Sequence, residues 1–241
     1  MAFASQIEFL EERYEQMRHA ARDLIFGRTV LAGSDIQEVA LTYDDGPNDP
    51  YTQQLLDLLA RYQVRATFFL IGSFVRRRPE IVRAIRQGGH LLGNHTMTHP
   101  YLRWERRSRV REELVACNSA IEDATGEALE WFRPPFGGRR PGVLHVAEEL
   151  GLTPVMWNAC GYDWDATEPQ TVLEHVQNGI RHNQRRHRGT NILLHDGGHK
   201  QIGTDRSVTL AATESMLKAW IGSGLRLVTV DAWRQQRISA S

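Results

Sequence analysis

Two cysteines, two lysines among twenty-nine basic residues, no net charge and no long apolar run characterise this chain, and each shortage excludes something. Cys117 and Cys160 lie 43 positions apart without a CxxC companion, which rules out a disulfide framework or a cysteine-rich zinc site. Both read as small buried apolar side chains. Lys200 and Lys218 are the only lysines, and the arginine bias reads as coding preference before chemistry. Twenty-nine Lys+Arg balance twenty-nine Asp+Glu, so the positive excess that draws duplex nucleic acid is missing. No uncharged apolar run approaches the roughly 18 residues of a membrane span. Nucleic acid and membrane are therefore not expected as partners. No fixed-period repeat, low-complexity tract or Pro/Gly/Ser linker divides the 241 residues, and 41% hydrophobic content supplies a sizeable core. Glu8, Glu11 and Glu12 stand where a secretory leader would be apolar. The expected compartment is thus the cytoplasm, or outside the cell if the chain is a trimmed mature form.

The first residues carry their own pattern. Phe3, Ile7, Leu10, Tyr14, Met17, Ala21 and Leu24 recur at steps of four and three, an a/d stripe on one helix. Glu11, Glu12, Arg13, Glu15 and Arg18 fill the solvated side, and Gly27 with Ala32-Gly33-Ser34 ends the segment. The spacing predicts an amphipathic helix and connection over 1–34, set before one main domain over 35–241. Its partner is either the main domain or the same helix of a second chain. The first is favoured, giving a monomer, because Tyr14 and Ala21 spoil a regular two-stranded seam.

From Glu38 onward short apolar runs at 38–43, 66–71, 89–93, 129–133, 153–158, 190–195 and 225–230 read as strands. Segments of helical spacing separate them, among them Thr52–Tyr62, Pro79–Gln87 and Arg109–Thr125. Repeated strand–helix alternation predicts a parallel α/β fold, and this length favours a distorted (β/α) barrel of about seven parallel strands.

In such folds functional groups gather at the C-terminal strand ends. Asp44-Asp45-Gly46-Pro47 follows the first run, His95 and His99 the third, and Arg133-Pro134-Pro135-Phe136-Gly137 the fourth. Asp163-Trp164 comes shortly after the fifth, and His195-Asp196-Gly197 after the sixth. Each cluster alone has an ordinary reading: a tight turn, a polar loop, a surface arginine, a hydrogen-bonded histidine. Their conjunction on one rim is what points to chemistry. The arginine-rich pieces at 76–78, 139–140 and 185–188 read as solvated faces.

A catalytic zinc takes three protein ligands and keeps one position open. His95 and His99, spaced as on one helical turn, can aim two imidazoles at one ion, and one carboxylate of Asp44/Asp45 completes the set. The other carboxylate is then free to act as general base on a water whose pKa the ion lowers. His195, on another strand, can protonate a leaving group. Spacing alone therefore describes a metal-assisted hydrolase.

Taken together, Thr42-Tyr43-Asp44-Asp45-Gly46-Pro47, His95-Thr96-Met97-Thr98-His99, Arg133-Pro134-Pro135-Phe136-Gly137, Asp163-Trp164 and Leu193-Leu194-His195-Asp196-Gly197 resemble the five ordered motifs of the polysaccharide deacetylase family. That family has the NodB homology domain and forms carbohydrate esterase family 4. The resemblance covers roughly 38–230. It implies Asp44 as catalytic base, Asp45, His95 and His99 as metal ligands, and Arg133 as the partner that holds the base ionised. It further implies Asp163 as the acid that tunes His195, and His195 as the proton donor to the departing amine. Trp164 and Leu193 correspond to the walls around the acetyl methyl, and the Phe136 main-chain N–H to an oxyanion donor. The implied cofactor is one divalent ion, Zn2+ with Co2+ or Ni2+ as alternatives, and the implied partner is an acetylated glycan.

Two positions depart from the commonest family pattern. Tyr43 replaces a Phe, and Phe136 replaces a Tyr, which removes a hydroxyl but leaves the main-chain donor. A small-molecule amidase or esterase and a non-catalytic carbohydrate-binding relative are the rival readings. Retention of Asp44, Asp45, His95, His99 and His195 counts against the latter. A closed structural metal site would need a fourth ligand; His199 is placed for it, but its position just past the His195 motif marks a loop residue.

Overall fold

The alternating apolar runs fold into a curled parallel sheet whose inner face changes from apolar to polar along each strand. The computed structural model describes residues 29–234; the stripe at 3–24 lies outside the described residues. The strands are β1 (Glu38–Gly46), β2 (Thr67–Leu70), β3 (Leu91–Asn94), β4 (Trp131–Phe132), β5 (Thr153–Pro154), β6 (Ala159–Cys160), β7 (Thr190–His195) and β8 (Arg226–Val228). Every pairing is parallel, in the order β5-β4-β3-β2-β1-β7-β6. β8 shares an edge of β1 with β2: Glu38–Ala40 pair with Arg226–Val228, and Thr42–Gly46 pair with β2. This is the distorted (β/α) barrel expected, with eight strands among the described residues.

Of the predicted strand at 153–158 only Thr153–Pro154 is strand, and β6 begins just past its end, for a physical reason. Val155 N–H still bonds to Phe132 O, at 2.7 Å, but Asn158 N–H bonds to Asn191 O, at 3.1 Å. The chain therefore crosses the seam between the β4 and β7 sides. Polar side chains hold it there: Asn158 Oδ1 accepts from Asn191 N–H, and Asn191 Nδ2 donates to Met156 O. Val30, in the segment before β1, bridges to Val155 and is buried.

Among the described residues seven α-helices surround the sheet: α1 (Tyr51–Arg61), α2 (Gly72–Arg77), α3 (Pro79–Gln87), α4 (Arg107–Thr125), α5 (Pro141–Glu149), α6 (Pro169–Gln184) and α7 (Ser207–Trp220). Proline opens α3, α5 and α6, where a missing N–H costs nothing. In α4, Val110, Leu114, Cys117, Ile121 and Ala124 are buried at three- and four-residue steps, and Gly126 ends the helix at φ +76°. Burying each large aliphatic side chain contributes about 1.5–3 kcal/mol, so such stripes rather than local propensity hold the helices. Both cysteines are free; Cys117 is buried and Cys160 half-buried, and burial pushes their thiols up to about 12 and 11.

Strand alternation separates two cores. Val39, Leu41, Tyr43, Phe68, Leu70, Ile192 and Leu194 face the helices. Ala40, Phe69, Trp131, Val155, Val230 and Trp233 form an apolar floor inside the barrel. On β1 the inward series runs Ala40, Thr42, Asp44, from that floor to the mouth.

Candidate active site

Parallel register assembles the mouth. Asp44 pairs with Phe69 on β2 and with His195 on β7, so a carboxylate and an imidazole stand side by side at adjacent strand ends. His95 follows β3 with its N–H on Leu70 O, and Arg133 follows β4 with its N–H on Asn94 O. Asp163 comes three residues after β6, on the far side of His195.

The two carboxylates of the first motif diverge because Asp45 takes a left-handed conformation, φ 73°. Asp44 turns to Arg133, whose Nη1 donates to its Oδ1 at 2.8 Å and to Thr42 Oγ1 at 2.7 Å. Arg133 is fully buried, and burial lowers its pKa while the Asp44 charge opposes this. Its guanidinium also lies 4.1 Å from the Phe69 ring centroid, a cation–π contact with the floor. Two close approaches shape the turn. A side chain at Gly46 would meet Asp196 Oδ2 at 2.3 Å, and one at Gly197 would meet Asp45 O at 2.1 Å.

Asp45 Oδ1 lies 3.2 Å from His99 Nε2 and 3.5 Å from His95 Nε2, and one donor atom from each residue falls within 4.8 Å of the others. Asp45 Oδ1 is buried without a hydrogen-bond partner, which is costly unless something else compensates it. A divalent cation fits this set of donors. Burial pushes His99 down to about 3, helped by the His95 charge, so the imidazole is neutral with a lone pair to give. Burial favours the neutral acid at Asp45, but the neighbouring imidazoles of His95 and His99 hold it below the ordinary carboxylate range. His95 Nδ1 donates to Arg133 O at 2.7 Å, which leaves Nε2 as the donor toward the cluster.

The His95–His99 segment is not the helical turn its spacing suggests. It is a loop, with Thr96 at φ 69° and His99 at φ 58°. Pro100 disfavours a helical His99, and side chains capture the loop's N–H groups. Asn94 Oδ1 accepts from Thr96 N–H, Thr96 Oγ1 from His99 N–H, and the buried Glu113 of α4 from both Thr98 N–H and Thr98 Oγ1. Left-handed residues cluster here: Asp45, Thr96, His99, Phe136 and Tyr162 are five of the seven non-glycine cases among the described residues.

Across the mouth, His195 Nδ1 lies 2.9 Å from Asp163 Oδ1, and His195 N–H bonds to Asp163 Oδ2 at 2.8 Å. Thr209 Oγ1 of α7 donates to Asp163 Oδ2 at 2.7 Å. Burial works against a charged imidazole, but the Asp163 charge and hydrogen bond, aided by Asp45 and Asp44, raise His195 to about 9. Trp164 is exposed and stands edge-on to His195 at 5.2 Å. Leu193 is buried on β7, on the inward face it shares with Asn191 and His195. Phe136 packs edge-on against His99 at 4.6 Å.

Each residue of the five motifs assigned a role in the sequence thus lies at one mouth. Sequence reasoning missed the supports Thr209, Glu113 and Asn191, whose partners are remote in the chain. His199 is indeed in a loop, yet it is stacked on His99 with ring centroids 4.8 Å apart and Nδ1 3.9 Å from Asp45 Oδ2. Asp196 lies beneath the turn with Thr52 Oγ1 donating to it; burial pushes it up to about 7, and the Asp45 and Asp44 charges act the same way.

A family profile described as polysaccharide deacetylase matches residues 33–155. A peptidoglycan-N-acetylglucosamine deacetylase of Bacillus cereus is 36% identical over 195 residues, covering 80% of this chain and 86% of that protein. A chitooligosaccharide deacetylase of Sinorhizobium fredii is 36% identical over 205 residues, covering 82% and 93%. Among solved structures, a peptidoglycan N-acetylglucosamine deacetylase in complex with 4-naphthalen-1-yl-N-oxidanyl-benzamide superposes with TM-score 0.76 at 28% identity, covering 86% of this chain and 92% of that one. A CE4 family pseudoenzyme from Bacillus anthracis superposes with TM-score 0.72 at 28% identity; 81% of this chain is covered, and it spans 64% of that protein's length.

Proposed function

The chain belongs to the polysaccharide deacetylase family, and on that premise we propose that it is a metal-dependent hydrolase that removes acetyl groups from N-acetylated sugars of an oligosaccharide or polysaccharide. The observation that carries this reading is the juxtaposition of Asp45, His95 and His99 with two titratable groups facing them, Asp44 on Arg133 and His195 on Asp163. Asp45, His95 and His99 would hold the ion, zinc being proposed first with cobalt or nickel as alternatives, since a mixed nitrogen and oxygen donor set suits all three. When bound, the ion supplies Lewis-acid polarisation of a carbonyl and acidifies a water.

The chain's own groups do the rest. Asp44 accepts the proton of the attacking water, kept in place by Arg133, whose guanidinium is itself anchored on Thr42 Oγ1. The Phe136 N–H meets the oxygen that becomes negative as the carbonyl is attacked. His195, protonated at neutral pH, gives its proton to the amine nitrogen as the C–N bond breaks and acetate leaves. Trp164 and Leu193 form apolar walls for the acetyl methyl. All five of base, acid and ligand residues are retained, which supports a catalytic role over that of a non-catalytic relative.

The test is acetate release by the zinc-loaded chain from N-acetylglucosamine oligomers, peptidoglycan and acetylated xylan. Release from the first two with none from xylan supports an amide substrate. Release from xylan alone would move the assignment to an ester. Release from none would refute the proposal.

A further inference from the structure

The mouth is flanked unequally. On the His195 side the exposed rings end at Trp164 and Tyr162, whose centroids lie 5.5 Å apart. On the metal-ligand side a longer row leads outward. Phe136 packs on His99 at 4.6 Å, Tyr101 on Phe136 at 5.6 Å, and Trp104 on Tyr101 at 6.4 Å. These three rings are 57%, 40% and 75% exposed, far from the burial such side chains normally reach.

The outer rings are held rather than loose. Tyr101 and Trp104 flank a single 3-10 turn, Leu102–Trp104, closed by Trp104 N–H on Tyr101 O at 3.2 Å. Leu102 is fully buried in the cluster beneath with Val110, Leu114 and Phe132, which pins the turn. Arg140 donates to Glu105 O just beyond, and the Arg103 guanidinium stands 5.5 Å over the indole. A fixed, exposed aromatic row loses little entropy when it is covered.

We infer that Tyr101 and Trp104 form an extended sugar-binding platform, continuous with the site through Phe136, that takes further pyranose rings of a neutral glycan chain beyond the residue being deacetylated. The inference rests on the deacetylase reading of that site. The rings follow one another in single file from His99 outward, with successive planes turned by 71°, 72° and 59°, so the row offers alternating faces and edges to the apolar C–H surfaces of a linear chain of sugars. A docking protein would need a broader apolar patch of several hundred Å2. The platform makes longer oligomers better substrates and places the extra sugars on the His99 side of the scissile acetyl group.

The experiment measures acetate release from β-1,4-linked N-acetylglucosamine oligomers, dimer to hexamer, by the zinc-loaded full chain and by Trp104→Ala, Tyr101→Ala and Trp104→Phe. In the full chain KM falls as the oligomer lengthens. The alanine variants raise KM for the hexamer about 3- to 10-fold, the range expected for one lost stacking contact, with less than a twofold change for the dimer and an unchanged kcat. Trp104→Phe restores most of the hexamer advantage, which a purely structural defect would not allow. Equal effects on dimer and hexamer, or none on the hexamer, would overturn the platform. Calorimetric titration with the same oligomers separates this from the function reading. Length-dependent binding that Trp104→Ala abolishes, without acetate release, would sustain the platform and refute the deacetylase. No binding and no release would overturn both.

Discussion

Replacing Asp163 with asparagine keeps the size of the side chain but removes the charge that makes His195 a strong enough base to be protonated at neutral pH. His195 is raised to about 9 although burial alone would depress it, so the Asp163 charge and hydrogen bond, with smaller help from Asp45 and Asp44, supply the difference. The rise from about 6.5 to about 9 corresponds to about 3 kcal/mol of preference for the imidazolium. The donating form is the protonated one, so activity is full below about 9 and lost as pH rises through it. In Asp163→Asn the alkaline limb of the pH–rate profile moves toward 6.5. At pH 8 the protonated fraction then drops from about 90% to about 3%, a rate loss of about 30-fold from protonation alone. Stability follows the same sign: a raised folded pKa contributes stability that is complete below about 6.5 and disappears through about 9, so the variant shows a flatter stability–pH curve there. The assays are acetate release and thermal unfolding across pH 6 to pH 10 (range chosen to span about 6.5 and about 9). An alkaline limb that stays in place in the variant would refute the coupling of Asp163 to His195.

Asp44→Asn keeps an acceptor for Arg133 but cannot take a proton, and is expected to lower kcat by about 10²- to 10⁴-fold with metal content unchanged by elemental analysis; loss of metal would exchange the roles of Asp44 and Asp45. Dialysis against a chelator abolishes acetate release and lowers the unfolding temperature, both reversed by zinc, because a ligand that binds only the folded state stabilises it by about 2.7 kcal/mol at a hundred times its Kd. His99→Ala shows no such metal-dependent temperature shift; full activity in metal-free protein would sink the assignment. Gly197→Ala forces a methyl group to within 2.1 Å of Asp45 O, so kcat/KM falls by about 10²-fold or more through displacement of the turn. Gly142→Ala, whose added carbon meets nothing closer than 3.6 Å, serves as the control and keeps full activity.

Much of this was legible in the amino-acid order. Periods of two and of three to four residues mark Val39, Leu41 and Tyr43 as one strand face and Val110, Leu114, Cys117 and Ile121 as one helix face, because burial acts on neighbours along a single element. Alternation of such elements dictates a parallel sheet, and a parallel sheet carries all its C-terminal ends to one rim. The amino-acid order therefore puts Asp44, His95, Arg133, Asp163 and His195 at one rim.

The remainder depended on contacts between residues far apart in the chain. Which carboxylate faces the histidines follows from the left-handed backbone of Asp45 and from Arg133, 89 positions away from Asp44, and neither is a local pattern. The His95–His99 loop is shaped by Glu113 from α4, the pKa of His195 by Asp163 with Thr209 behind it, and the break between β5 and β6 by Asn158 and Asn191. The row from Phe136 to Trp104 brings together loops after β4 and β3. Hydrophobic periodicity is imposed one element at a time and survives in the sequence as a repeat. A hydrogen bond between loops is a single pairing with no period, and only the curling of the sheet that brings those loops together decides it.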